Sequence, residues 1–225
     1  MLKMEREYTK EIMDDFSILD ARIDLALSEL NVINKYLGGN SATHFGVKLL
    51  SSNNHSNHKL SILDIGAGSS DVLQNKVENE VEIYSLDLNF RVCKFLKEKS
   101  IDTNVILGTA LNLPFKENSV DIVHLSLFLH HFTESEIISI LKMSLKICKT
   151  GIVINDLRRS WLAYIGILLL TKLFSKSKMV KNDGPLSVKR GFIKTDLKNI
   201  LKQLEIVRFK VYRRWAFRWL VVIYA

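Results

Sequence analysis

Little in this chain of 225 residues could cross-link it, stiffen it or anchor it. Its two cysteines, Cys93 and Cys148, lie far apart and in no recognisable spacing. A disulfide scaffold is therefore excluded, and two reduced thiols are expected. Only two prolines occur, Pro114 and Pro185, with no Pro- or Gly-rich tract, so collagen-like and linker architectures are excluded too. No apolar run approaches the roughly 20 residues of a membrane span. The longest covers 161–170 and is interrupted at Thr171 and Lys172. The opening stretch, MLKMEREYTKEIMDDFSILD, is charged and has no apolar centre of the secretory type, so a cytoplasmic chain is expected. His55 and His58, in the polar loop 51–58, lack a Cys or carboxylate partner nearby. No metal is expected.

What is present is an ordinary globular composition, 47% hydrophobic and 25% charged, and disorder is ruled out. The length suits one domain with one large core. The net charge of +8 hides an asymmetry. From Arg158 onward there are 16 Lys or Arg against 3 Asp or Glu; residues 1–157 hold 16 against 21. Such a split points to an acidic substrate, an anionic membrane surface or nucleic acid, with a solvated basic face as the plain alternative.

Apolar positions Ile12, Phe16, Leu19, Ile23, Leu27, Leu30, Ile33 and Leu37 recur at spacings of three and four, which predicts a helix over 5–37. Gly38-Gly39-Asn40 stops it, and a short helical stretch follows around 45–50. From Leu60 the pattern changes to strand-length bursts at 61–65, 81–86, 104–107, 120–125 and 151–154. Helical segments at 71–79, 91–99 and 134–148 lie between them. This alternation implies parallel strands with helices on both faces. A ligand site is expected at the carboxyl ends of the strands, near the switch point. Downstream come the apolar 161–174 segment, a basic SKSKMVKN, the turn-forming Asp183-Gly184-Pro185, a helix at 194–204, and strands at 206–213 and 216–224. Both prolines are placed in loops on the ligand side.

The segment that carries chemistry is Leu63-Asp64-Ile65-Gly66-Ala67-Gly68-Ser69-Ser70-Asp71, which closes a strand and opens a helix. Two glycines let the backbone turn tightly and approach a ligand. The third glycine of the dinucleotide fingerprint is replaced by Asp71, which disfavours a pyrophosphate at that helix start. Tyr84-Ser85-Leu86-Asp87-Leu88 then ends the second strand with a carboxylate, the group that accepts hydrogen bonds from both ribose hydroxyls of a nucleoside. Gly108-Thr109-Ala110-Leu111-Asn112-Leu113-Pro114-Phe115 follows the third strand, and Ser126-Leu127-Phe128-Leu129-His130-His131 follows the fourth.

In order and combination, D-x-G-x-G, a strand-end Asp, G-x-A-x-x-L-P-F and L-H-H resemble class I S-adenosylmethionine-dependent methyltransferases, over roughly residues 60–156. The resemblance implies an α/β fold with a doubly wound, seven-stranded mixed sheet. Its order is 3-2-1-4-5-7-6, with strand 7 antiparallel and helices on both faces. It divides the chain into a helical N-terminal cover, 1–58, and a Rossmann-like domain, 59–225, with a helical lid inserted at about 157–191. The implied cofactor is S-adenosylmethionine. Gly66, Ala67 and Gly68 would pass under its methionine part, with Asp64 orienting the loop and reaching the amino group through water. Asp87 would take the ribose hydroxyls, and Leu88 would lie against the adenine. Thr109 and Ala110, with Leu111, would meet the adenine edge, and Ser126 and Leu127 would face the cofactor. Thr109 stands where the family often has Asp; a hydroxyl accepts there without charge assistance. The NDL-R-R, DGPLSV-x-R-G-F and R-R-W-A-F-R-W stretches resemble small bacterial enzymes of lipophilic or polyketide-type metabolism.

Methyl transfer is an in-line displacement, and alignment of its partners can supply ~7–11 kcal/mol. O-methylation of a phenol or carboxylic acid is the expected reaction. C-methylation of a quinone-like ring and a catalytically idle cofactor-binding partner are the alternatives. A phenol has a pKa of about 10 and His about 6.5, so proton removal by His costs roughly 4.8 kcal/mol unless cations stabilise the phenolate. His130 and His131 are the candidate base or orienting groups; otherwise one caps the loop and the other bonds the backbone. Asp156 and Arg158, after the fifth strand, either face the acceptor or form a salt bridge that holds the cap. The 161–174 segment is a roof over a lipophilic substrate, a peripheral membrane contact working with the basic C-terminal region, or a buried cap helix. The Arg213, Arg214, Trp215, Arg218, Trp219 cluster reads as cation–π packing rather than a nucleic-acid platform, and nucleic acid is disfavoured as a partner.

Overall fold

The computed structural model describes residues 4–52, 59–70, 73, 81–99 and 102–225. Seven strands form one sheet: β1 Leu60–Ile65, β2 Val81–Asp87, β3 Asn104–Leu107, β4 Val120–Ser126, β5 Cys148–Leu157, β6 Phe209–Arg214 and β7 Arg218–Tyr224. Their order is β3-β2-β1-β4-β5-β7-β6. The first five are parallel, and β7 runs antiparallel to both β5 and β6. The sheet expected from the resemblance is therefore the one observed. The order reverses between β1 and β4, so their carboxyl ends open a crevice at that point.

Seven α-helices are present among the described residues: α1 Ala21–Tyr36, α2 Gly39–Ser51, α3 Phe90–Glu98, α4 Glu134–Ile147, α5 Trp161–Phe174, α6 Lys178–Arg190 and α7 Lys194–Gln203. On one face of the sheet, α4 and α7 bury Ile137, Ile140, Leu141, Leu197, Ile200 and Leu201. On the other, α2 buries Val47 and Leu50 against Ile62, Ile122 and Val153. Both faces being covered explains why β4 is buried over six consecutive positions rather than at alternate ones. Both cysteines are buried free thiols. The helix expected at 71–79 lies outside the described residues except for Leu73, as does most of the 51–58 loop with His55 and His58.

Two expectations are corrected. The helix expected over 5–37 begins only at Ala21. Before it the carboxylates capture the amides: Asp14 takes that of Glu11, Asp15 that of Ser17, and Asp20 caps α1 at Arg22. Side chains of this kind compete with helical bonding. The expected turn Asp183-Gly184-Pro185 lies inside α6. There Pro185 forfeits a single helical bond, and buried Asp183 turns to accept from the amides of Ile12 and Met13. Within the N-terminal region, α1 packs with α2 as well as with α3 and α6, and α2 also lies on the sheet.

Candidate active site

The crevice at the carboxyl ends of β1 and β4 is a cavity of about 570 Å³, walled mainly by apolar side chains of α1, α5 and the strand-end loops. Its floor is the glycine turn. Gly66 has φ +67°, and a Cβ there would meet Cδ2 of Phe128 at 2.0 Å. The Gly66 and Ala67 amides donate to the Leu86 carbonyl at 2.9 and 3.2 Å, tying the turn to the end of β2. The Gly68 amide donates to Asp87 Oδ2 at 3.2 Å, and the Asn89 amide to Oδ1 at 2.9 Å. Burial pushes the Asp87 carboxyl up to about 6; those amides oppose the rise and the charge of Asp64 adds to it. Each oxygen retains acceptor capacity toward the cavity, which suits a diol that donates twice.

Asp64 works inward. It accepts from Ser70 Oγ at 3.2 Å and pairs with His124 Nδ1 at 2.7 Å. His124 Nε2 meets Thr43 Oγ1 at 2.9 Å, and Asn155 Nδ2 donates to the same hydroxyl at 3.2 Å. Asn155 Oδ1 faces Arg218 at 3.5 Å, and Arg218 donates to Asn34 Oδ1 at 2.8 Å and to the Leu37 carbonyl at 2.9 Å. A buried polar chain thus runs from the glycine turn through β1, β4 and β5 to α1. Arg218 is 2% exposed, and burial pulls it down to about 10. It therefore belongs to no surface basic patch.

Leu88, Thr109, Ala110, Leu111, Ser126 and Leu127 all line the cavity. Thr109 Oγ1 already accepts from the Leu111 amide at 3.2 Å. Leu127 sits at φ +50°, a left-handed conformation that costs a non-glycine residue of order 1–3 kcal/mol. The Asn155 carbonyl, which accepts its amide at 2.9 Å, holds it there.

A charged cluster forms a second polar wall. His130 Nδ1 pairs with Asp156 Oδ1, and His131 Nδ1 with Asp14 Oδ1, each at 2.7 Å. Glu11 stands 3.5 Å from His130 Nε2 and accepts from Ser187 Oγ at 2.8 Å. Arg190 binds Asp14 at 2.8 Å and the carbonyls of His130 and His131. Burial disfavours charge on the His130 ring, but Asp156 and Glu11 outweigh it and push the ring up to about 9. His131, less buried, presents its Nε2 side to the cavity wall. Asp156 and Arg158, expected to face the acceptor, do not line the cavity. Asp156 sits behind His130 as its positioning partner, and Arg158 stacks on the Phe217 ring at 5.0 Å.

Residues 63–154 match the family described as a methyltransferase domain. The chain carries a methyltransferase domain of the S-adenosylmethionine-dependent kind. No curated protein matches it in sequence. Solved structures share its fold. The plantazolicin methyltransferase BpumL, in complex with SAH, superposes with a TM-score of 0.67 at 16% identity, over 95% of this chain and 98% of its own. A SAM-dependent methyltransferase from Aquifex aeolicus gives 0.56 at 17% identity, over 80% and 88%. The magnesium protoporphyrin IX methyltransferase of Synechocystis, with bound SAH, gives 0.56 at 13% identity, over 86% and 87%.

The residues present in this methyltransferase fit its cofactor. Gly66 leaves the turn low because a side chain there would collide with Phe128, and the oriented Asp87 carboxylate stands beside it with acceptor capacity unspent. Sequence reasoning missed Glu11, Asp14 and Arg190 at the polar wall. It also missed His124, Thr43 and Asn155 behind the turn. Nothing in local spacing marks them: Glu11 lies in a segment that reads as an amphipathic helix, and Arg190 among other basic residues of a basic region.

Proposed function

We propose that this methyltransferase methylates oxygen on a small lipophilic or aromatic acceptor bearing a phenolic hydroxyl or a carboxylic acid. The observation that carries this reading is the cavity itself: beyond the Asp64–Asp87 edge that suits the cofactor, its lining is mainly apolar, with a polar wall of Glu11, Asp14, His130 and His131. An apolar acceptor body fills such a space, and its single polar group settles where polar partners exist. The cofactor supplies a methyl group already activated on sulfur. The chain's own work is to hold the acceptor in line, exclude water and receive a proton where the acceptor is a phenol. His131 is the ring suited to that task. Its Nδ1–H donates to Asp14, which leaves Nε2 free to accept. His130, held protonated by Asp156 and Glu11, positions the wall. The neighbours named as methyltransferases of plantazolicin and magnesium protoporphyrin IX support a small-molecule acceptor.

The test is turnover of the purified chain with methyl-labelled cofactor and a panel of phenols and aromatic acids, with products assigned by mass spectrometry and NMR. O-methyl products support the reading. Carbon-methylated rings would replace it with the quinone-type reaction, and cofactor binding without turnover would mark an idle partner.

We propose in addition that α5 rests on an anionic membrane surface and takes lipophilic acceptors from it. Support comes from the two faces of this helix. Ala163, Gly166, Ile167 and Leu170 line the cavity. Trp161, Leu162, Ile165, Leu169, Leu173 and Phe174 are exposed, Phe174 by 79%. Exposed lysines at 172, 176, 178 and 181 border that face, the arrangement of an interfacial helix. No helix among the described residues is long and apolar enough to cross a membrane. Co-sedimentation with phosphatidylglycerol vesicles that weakens at rising salt is expected. Absence of binding at low salt would end the idea.

A further inference from the structure

We propose that Glu11, His130 and His131 bind one divalent transition-metal ion, of the zinc or iron(II) type, in the wall of the acceptor cavity. One ligand atom from each residue lies within 4.8 Å of the other two. The His130 side chain is 2% exposed, and its Nε2 is buried with no hydrogen-bond partner. Leaving such an atom unpaired is costly, and native structures seldom do so without a reason.

The distances suit an ion better than a direct contact. His130 Nε2 stands 3.5 Å from Glu11 Oε1, and His131 Nε2 stands 4.0 Å from Glu11 Oε2. Both exceed hydrogen-bonding range. Ligand atoms about 2.1 Å from a common ion are themselves roughly 3.0–3.4 Å apart, for octahedral and tetrahedral arrangements respectively. A small inward shift of His131 closes the set.

Each histidine is also prepared from behind. Asp156 holds His130 Nδ1, and Asp14 holds His131 Nδ1, both at 2.7 Å. A carboxylate on one ring nitrogen fixes the tautomer that leaves the other free for a metal and raises its basicity. The charges agree. Glu11, Asp14, Asp156 and Asp183 surround the site, and Arg190, 3.8 Å from Glu11 Oε1 and bonded to Asp14, offsets only one of them. The ion displaces the proton that Asp156 and Glu11 otherwise hold on His130, and with both imidazoles then neutral it brings the buried cluster toward neutrality. Two nitrogens and one oxygen suit zinc, iron(II) or cobalt(II) better than calcium or magnesium. Three protein ligands leave a coordination position open.

Binding stands on this geometry alone, whereas the ion's role rests on the O-methylation reading. A divalent ion lowers the proton affinity of a hydroxyl that reaches it. With its Nε2 on the ion, His131 no longer takes that proton, which passes to bulk water instead, and the acceptor oxygen forms its bond to the methyl carbon. The carbon–sulfur bond breaks with its electron pair leaving on sulfur.

The test uses the full chain, stripped with a chelator and dialysed against zinc chloride or cobalt(II) chloride. One equivalent per chain is expected, and the cobalt(II) form should show a visible absorption band of nitrogen-ligated, low-coordinate type. Glu11→Gln and His131→Ala should each weaken uptake at least tenfold. Asp156→Asn, acting through His130, should weaken it about 10–100-fold. The double variant His55→Ala/His58→Ala should leave the equivalent intact, showing that the histidine-bearing loop is not its source. Circular dichroism checks the fold, and the wild-type cobalt spectrum reads imidazole ligation even if a variant does not fold. No stoichiometric uptake of either ion, or uptake unchanged in both Glu11→Gln and His131→Ala, overturns the proposal. Uptake with no O-methyl product would keep the site and remove the O-methylation reading instead.

Discussion

Replacing Gly66 by alanine adds one carbon, and the structure places that carbon 2.0 Å from Cδ2 and 2.5 Å from Cε2 of Phe128. The ring cannot swing away freely, because it packs on Phe132 with centroids 4.8 Å apart. Two costs add. Holding alanine at φ +67° costs about 1–2 kcal/mol, and forcing a methyl into a filled site costs about 1–3 kcal/mol. The sum is roughly 2–5 kcal/mol. Gly68 is the internal control. Its φ is +52°, but a Cβ there meets only Leu27, at 3.8 Å, so Gly68→Ala incurs the backbone cost alone, about 1–2 kcal/mol. Urea denaturation of the two variants should separate them by at least 1 kcal/mol. Calorimetry should show Gly66→Ala binding S-adenosylhomocysteine at least tenfold more weakly than wild type, because the turn must rise to clear the ring. A Gly66→Ala/Phe128→Ala cycle should recover about 1–3 kcal/mol of coupling, the range expected for residues in contact. Equal losses in the two glycine variants, or no coupling with Phe128, would refute the steric account of the turn.

Asp87→Ala should weaken S-adenosylhomocysteine binding about 100-fold, the worth of two hydrogen bonds to a charged acceptor at roughly 1.5 kcal/mol each. Because the unliganded Asp87 carboxyl is raised from 3.8 to about 6, affinity should increase with pH through about 6, with proton release on binding. The sign for unliganded stability is opposite. Between those two values the folded state holds more protons than the unfolded one, so ionisation erodes stability as pH rises through that window. Melting curves of wild type and Asp87→Ala should differ in that slope. Gly166→Leu should leave S-adenosylhomocysteine binding within twofold while raising KM for bulky acceptors, since a Cβ there meets nothing within 4 Å and a longer side chain enters the cavity. His124→Leu should destabilise the protein by about 2–4 kcal/mol in urea, because it strips buried Asp64 of its imidazole and Thr43 of its partner.

Local chemistry and periodicity carried the strand–helix alternation, the Gly66–Gly68 turn, the carboxylate ending β2 and the loops that follow β3 and β4. These are short-range facts: an apolar burst of strand length, a backbone that only glycine tolerates, an acid placed at a strand end. Parallel strands bring such loops to one edge whatever the intervening sequence is, which is why their meeting at one crevice was readable. Short-range reasoning also had its failures. An apolar period of three and four runs through residues 5–37, yet Asp14, Asp15 and Asp20 spend the backbone amides before Ala21. Pro185 marks a turn in most sequences, yet it sits in α6, which Asp183 ties to the N-terminal segment.

The acceptor half was decided by packing alone. Glu11 and His130 are separated by 119 positions, and Asp14 and Arg190 by 176, so no spacing rule relates them. They meet because α6 folds back over the crevice and draws the N-terminal segment across its mouth. The same holds for Thr43, His124 and Asn155, which became partners only when α2 was laid on the sheet. A carboxylate or imidazole acquires its role from the charges and hydrogen bonds that surround it once water has been excluded, and that surrounding exists only in the folded chain.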